Sequence, residues 1–164
     1  MNNKGSDDVL KDMLRTTTKK AAKGLAKGIW GSIMSSMKNS PSMAIIYICL
    51  VSFFVGNIFL GVRYFDLFKL TPAFMLAQPW TIVTHMFLHV DFGHLFFNML
   101  VLFFFGRELE NRIGNSRFLG VYFVSGIVAA IGYSLTVSNP YSSVVGASGA
   151  ILGVFATLTV LAPD

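Results

Sequence analysis

From Phe118 to Pro163 the chain carries no charged residue, and Met43 to Val62 is a second run of 20 residues without one. About 20 apolar residues in a helix cross a hydrocarbon core about 30 Å thick. The longer run is broken at Ser138-Asn139-Pro140-Tyr141-Ser142-Ser143, a stretch of turn composition. It therefore divides into two spans, 118–137 and about 144–162. A water-soluble domain usually has about a quarter of its residues charged. Only 13% of these 164 residues are Asp, Glu, Lys or Arg, and 54% are hydrophobic. The pattern excludes an ordinary soluble domain and a disordered chain.

A fourth run lies between these. Phe92 to Gly106 holds 15 uncharged residues, about 22 Å as a helix. The span must continue into Arg107–Arg112, whose long side chains can reach the interface. The expected fold is thus all-α: a polytopic membrane helix bundle with spans at about 43–62, 92–112, 118–137 and 144–162. The domains are expected at 1–42, a basic segment, and 43–164, the membrane body. Residues 1–42 carry eight basic groups against Asp7, Asp8 and Asp12, which accounts for the net charge of +5. Positive charge marks the cytoplasmic side, so the N-terminus and the loop bearing Arg107, Arg112 and Arg117 are expected there. Residues 1–42 lack the uninterrupted apolar core of a cleavable signal. The first span is expected to be a permanent anchor of an integral protein of the cell membrane.

The basic segment, with Leu10, Leu14, Ala21, Leu25, Ile29 and Ile33 at near-helical spacing, fits a helix on an anionic bilayer, a disordered basic tail or a specific partner site. No nucleic-acid partner is expected, because the basic excess adjoins a membrane anchor. The apolar connection 63–92 is expected to fold against the outer leaflet, with Trp80 at headgroup level. The lone Cys49 permits no internal disulfide.

Polar residues inside spans mark candidate chemistry. His94 and Asn98 are four apart and share a helix face. Ser148 lies near the start of the fourth span, within Gly146-Ala-Ser-Gly149. The inferred topology puts all three at the same end of the membrane. A serine near a helix N-terminus sits beside unpaired N–H groups and a positive dipole end, which favours an oxyanion. His94 and Asn98 can supply further donors to it. Blander readings stand beside this one. Gly-x-Ser-Gly is commonly helix packing, with Gly149 and Gly153 as a small-residue pair, and His-x-x-x-Asn commonly an interhelical hydrogen bond. His85, His89 and His94 suggest a metal or proton site, but neither HExxH nor cysteine accompanies them, and no metal or cofactor is expected.

Taken together, His85-x-x-x-His89-x-x-x-x-His94-x-x-x-Asn98, Glu110-Asn-Arg112 and Gly146-x-Ser148-Gly149 resemble the rhomboid intramembrane serine proteases over roughly residues 43–164. The resemblance implies Ser148 as nucleophile, with His94, Asn98 and the Ser148 backbone N–H as oxyanion hole and Gly146 and Gly149 as part of the motif. It implies structural roles for His85, His89, Trp80, Glu110 and Arg112. Where the family commonly has Trp-Arg, this chain has Trp80-Thr81. The family core has six spans and carries its general-base histidine on the sixth. Residues 1–164 are therefore expected to be a four-span, catalytically silent fragment. The implied activity is a serine endopeptidase cleaving membrane proteins in or beside their transmembrane helices. The alternative is an inactive relative that binds such helices. The oligomeric state is not readable.

Overall fold

A computed structural model describes residues 5–162, without the side chains of Ser6 and Asp7. Lys4 of the basic segment and Pro163–Asp164 of the expected second domain lie outside the described residues. The chain forms two compact units, Met1–Lys38 and Asn39–Asp164. The described residues of the first lie mainly in one helix, α1, Ser6–Asn39.

The second unit is helical, as expected. It contains three helices long and apolar enough to cross a membrane: α2 (Pro41–Phe68), α4 (Phe92–Ile113) and α5 (Asn115–Thr136). A short helix, α3 (Thr81–Thr84), lies in the connection between α2 and α4. A shorter apolar helix, α6 (Ser148–Leu161), follows α5. Ile45, Ile46 and Cys49 of α2, Leu95, Met99, Leu102 and Leu109 of α4, Phe118 and Tyr122 of α5, and Ala150, Ile151 and Val154 of α6 form one core. Small residues let α5 and α6 close up. A Cβ on Gly149 would lie 2.5 Å from the Cβ of Ala129, and Gly153 faces Ser125.

Two boundaries differ most from the sequence expectation. The first helix runs on to Phe68, past the expected end at 62, through a π-helical turn at Gly56–Leu60. The last helix starts at Ser148, four residues after the expected 144, and its 14 residues rise about 21 Å. The backbone of 144–147 is engaged elsewhere. Val144 exchanges both backbone hydrogen bonds with Leu70, at 2.9 and 3.1 Å. The Gly146 N–H donates to the His85 carbonyl at 2.8 Å, and Gly146 has φ +120°. Apolar composition cannot distinguish such a strap from a helical turn.

Helix α4 carries a second π-helical turn, Leu102–Gly106, and this turn sets its register. Asn98 and Glu110 are both buried, yet twelve residues of straight α-helix would leave them about 120° apart. A π-bulge absorbs one extra residue, which reduces the offset to about 20° and points both inward. Phe103 and Phe104, by contrast, lie exposed on the outer side of the bulge.

Among the described residues Glu110 pairs with no cation. Its Oε2 accepts from the Ser42 N–H at 2.9 Å and the Ser40 hydroxyl at 3.1 Å. Ser40 caps α2, and Pro41 fills the first turn. A buried carboxylate at a helix N-terminus is favoured by the dipole and the free N–H groups. Two residues on, Arg112 pairs with Glu108 at 2.7 Å and reaches the Leu161 carbonyl at the end of α6 at 3.5 Å. One turn of α4 thus serves the positive end of one helix and the negative end of another.

Deleting Phe104 should convert the bulge to α-helix and turn Glu110 away from Ser40 and Ser42. Each hydrogen bond to a charged group contributes about 1.5–3 kcal/mol. We expect the deletion to lower the thermal midpoint in detergent strongly and Phe104→Leu to leave it nearly unchanged. Equal midpoints would show that the bulge does not set the register.

Candidate active site

The site forms where the loops between helices meet. Backbone polar groups in an apolar setting need partners, and the connections 69–91 and 137–147 supply them to each other. Besides the Leu70–Val144 pair, the Ala73 N–H donates to the Pro140 carbonyl at 2.9 Å and the Thr71 and Ser143 hydroxyls lie 2.8 Å apart. Phe74 and Tyr141 meet edge to face at 6.0 Å. The Trp80 indole N–H donates to the Leu67 carbonyl at 2.8 Å, and the Thr84 hydroxyl to the Phe68 carbonyl at 2.9 Å, so the first loop is tied back to α2. Thr81 is buried and donates to the Gln78 carbonyl at 2.6 Å.

His85 anchors this scaffold twice. Its carbonyl holds the Gly146 N–H, and its Nδ1 lies 2.9 Å from the Thr81 carbonyl. Burial lowers its pKa below the usual histidine range. His89 is fully buried, its ring edge-to-face with His94 at 5.0 Å. Burial first, then the neighbouring His94, pushes the His89 pKa down to about 4. Both rings are thus neutral near pH 7. Neither ring nitrogen of His89 has a hydrogen-bond partner among the described residues.

Asp91 caps α4, its carboxylate accepting the His94 N–H at 2.8 Å. His94 and Asn98 then fall on the face towards Gly146. A Cβ on Gly146 would lie 2.7 Å from both Cε1 and Nε2 of His94 and 3.9 Å from Nδ2 of Asn98. That Nδ2 is buried and has no partner among the described residues, a donor left unpaired at some cost.

Ser148 is the first residue of α6, and its side chain is exposed. The capping position belongs to Ala147, which offers no side-chain acceptor. Ser148 is therefore not the helix cap, and the first-turn N–H groups stay open to an incoming acceptor. The structure thus brings His89, His94, Asn98 and Gly146 together immediately before Ser148, with His85 beneath. Glu110 and Arg112 lie far along α4, in the separate helix-end cluster. Among the described residues, no three His, Cys, Asp or Glu side chains are grouped to hold a metal ion. Sequence reasoning missed Ser40 and Ser42, although Ser-Pro ahead of an apolar run is a helix-start signal. It also missed Asp91 as the cap that orients α4.

The rhomboid domain family matches residues 76–164. YdcA of Bacillus subtilis (strain 168) is 46% identical over 79 residues, 48% of this chain and 39% of that protein. The rhomboid protease GluP of the same organism is 40% identical over 90 residues, 54% of this chain and 17% of that protein. The rhomboid protease GlpG of Yersinia pestis (strain Pestoides F) is 32% identical over 76 residues, 46% of this chain and 27% of that protein. The matches thus span well under half the length of these relatives.

Gly146 is irreplaceable on two counts, its positive φ and the His94 ring against its Cα. Gly146→Ala should lower stability by roughly 2–5 kcal/mol, combining backbone strain with overpacking. Gly132→Ala, where nothing lies within 4 Å of the added Cβ, should be neutral or slightly stabilising in its helix. Thermal unfolding in detergent compares the two. A Gly146→Ala protein as stable as Gly132→Ala would mean that the strap is not seated against His94.

Proposed function

The chain belongs to the rhomboid family, and from that premise we propose that it is the nucleophile-bearing part of an intramembrane serine endopeptidase. Ser148 is the nucleophile. Its Oγ attacks the scissile carbonyl carbon of a membrane-protein substrate while its proton passes to a general base. The carbonyl oxygen becomes an oxyanion bound by the Asn98 amide, the His94 ring and the Ser148 N–H. The C–N bond then breaks, the base returns the proton to the leaving amine, and water hydrolyses the acyl-enzyme. The observation that carries this reading is the buried Nδ2 of Asn98, without a partner among the described residues and lying with the His94 ring beside the glycine two residues before Ser148.

None of the three histidines suits the role of base. His85 is engaged with Thr81, His89 is buried against His94, and His94 is assigned to the oxyanion. The base is therefore assigned to a segment outside residues 1–164. Gly146 and Gly149 supply close backbone approach, and His85, His89, Trp80, Glu110 and Arg112 are structural. The substrates are transmembrane proteins whose helices unwind locally, since a helical carbonyl is already hydrogen-bonded. The site opens on the outer face of the cell membrane, with the N-terminus cytoplasmic.

In the protein carrying its base, Ser148→Ala should abolish substrate cleavage. Asn98→Ala and His94→Ala should each lower kcat by roughly ten- to a thousand-fold, because each removes a donor to charge that develops in the transition state. A fluorophosphonate should label Ser148 in that protein and not in residues 1–164. Unchanged kcat in both donor variants would make these residues packing groups. No cleavage and no labelling in any form would favour an inactive helix-binding relative. Rapid Ser148-dependent labelling of residues 1–164 would assign the base to one of its own histidines.

A further inference from the structure

Helix α1 carries two ridges with a strict period of four. Val9, Met13, Thr17, Ala21, Leu25, Ile29, Ile33 and Met37 form one, and Lys11, Arg15, Lys19, Lys23 and Lys27 the other, offset by two residues. Two residues turn a helix about 200°, so the ridges run on nearly opposite sides. A period of four outruns the helical repeat of 3.6 by about 40° per step. The eight ridge positions therefore wind through about 280°, and no flat surface can take them all. The four from Ala21 to Ile33 sweep only about 120°, the width of one apolar face.

That stretch is also where the charge is uniform. From Met13 to Asn39 there is no acidic residue, while Arg15, Lys19, Lys20, Lys23, Lys27 and Lys38 are basic. Among the described residues, Lys19, Lys20, Lys23 and Lys27 take part in no ion pair. Leu25, Ile29 and Trp30 are 67%, 53% and 63% exposed. Trp30 falls about 60° past Ile33 around the helix, in the directions of Lys19 and Lys23. An amphipathic tryptophan beside the lysines suits headgroup level. Ser40 alone separates α1 from the long apolar helix that begins at Pro41. The end of α1 is thus tethered covalently at the bilayer boundary, and a modest intrinsic affinity suffices.

We propose that Lys19–Ile33 is a binding site for an anionic phospholipid surface. Ala21, Leu25, Ile29 and Ile33 enter the interfacial region, and Lys19, Lys20, Lys23 and Lys27 meet lipid phosphates. Each lysine near an anionic leaflet adds to the attraction, and the opposite charge selects this occupant over a zwitterionic surface. The site is independent of the protease reading, for it involves none of those residues.

The test uses the full chain with Trp80→Phe, which leaves Trp30 as its sole tryptophan. It is reconstituted in phosphatidylcholine vesicles and in vesicles that also contain phosphatidylglycerol. In the anionic vesicles, Trp30 emission should move to shorter wavelength and resist quenching by acrylamide. The shift should be lost in about 1 M salt, where screening shortens to about 3 Å. It should be lost again in K19Q/K20Q/K23Q/K27Q, an exposed set whose replacement retains helix propensity, and be reduced by Ile29→Gln. Identical emission in both lipids would overturn the proposal, as would a shift that survives the quadruple substitution. A shift in phosphatidylcholine alone that grows with protein density would instead assign the face to a second copy of the chain.

Discussion

An extended backbone beside a membrane must find partners for every N–H and carbonyl, and the rest of this structure depends on how the stretch before Ser148 does so. Residues 144–146 abandon the helix and pair with Leu70 and His85. Gly146 tolerates this because it lacks a Cβ, in both its dihedral angle and its contact with the His94 ring. The strap ends there, and α6 starts abruptly at Ser148 with its first N–H groups uncapped. One backbone constraint thus fixes where the helix begins, which residue occupies its first position and which side chains lie against it.

The opposite end of α4 obeys a second constraint. A single helix has to present Asn98 to the strap and Glu110 to the start of α2, and the π-turn at Leu102–Gly106 makes these compatible. Glu110 then receives the Ser42 N–H and the Ser40 hydroxyl, while Arg112 turns to the end of α6. The buried Glu110 is retained here by a helix end, while the exposed Arg112 keeps an ion pair with Glu108. The cost of burying a carboxylate is offset by donors that the helix leaves free in any case.

The helical, membrane-embedded fold was legible because uncharged runs have few other uses. His94 and Asn98 were legible as a pair because four residues make one turn, and Ser148 because small residues around a serine in an apolar run are conspicuous. The π-turns were not legible. Leu-Phe-Phe-Phe-Gly at 102–106 is equally compatible with an α-helix, and the extra residue is demanded only by burial at both ends. Nor was the start of α6. Val144 and Val145 are apolar enough to extend a span, and only the partners in a distant loop draw them out of it. The winding ridges of α1 were visible as near-helical spacing, but the opposed lysine ridge appears only when position is counted around the helix.

The central claim is that the donors beside Gly146 converge on an oxygen attached through Ser148. A structure of the protein carrying its base, with a phosphonate bonded to Ser148 Oγ, tests it most directly. The phosphonyl oxygen should lie about 2.7–3.1 Å from Asn98 Nδ2, His94 Nε2 and the Ser148 N–H. A phosphonyl oxygen turned away from Asn98, with Nδ2 still unpaired or bonded to a neighbouring helix, would contradict the account.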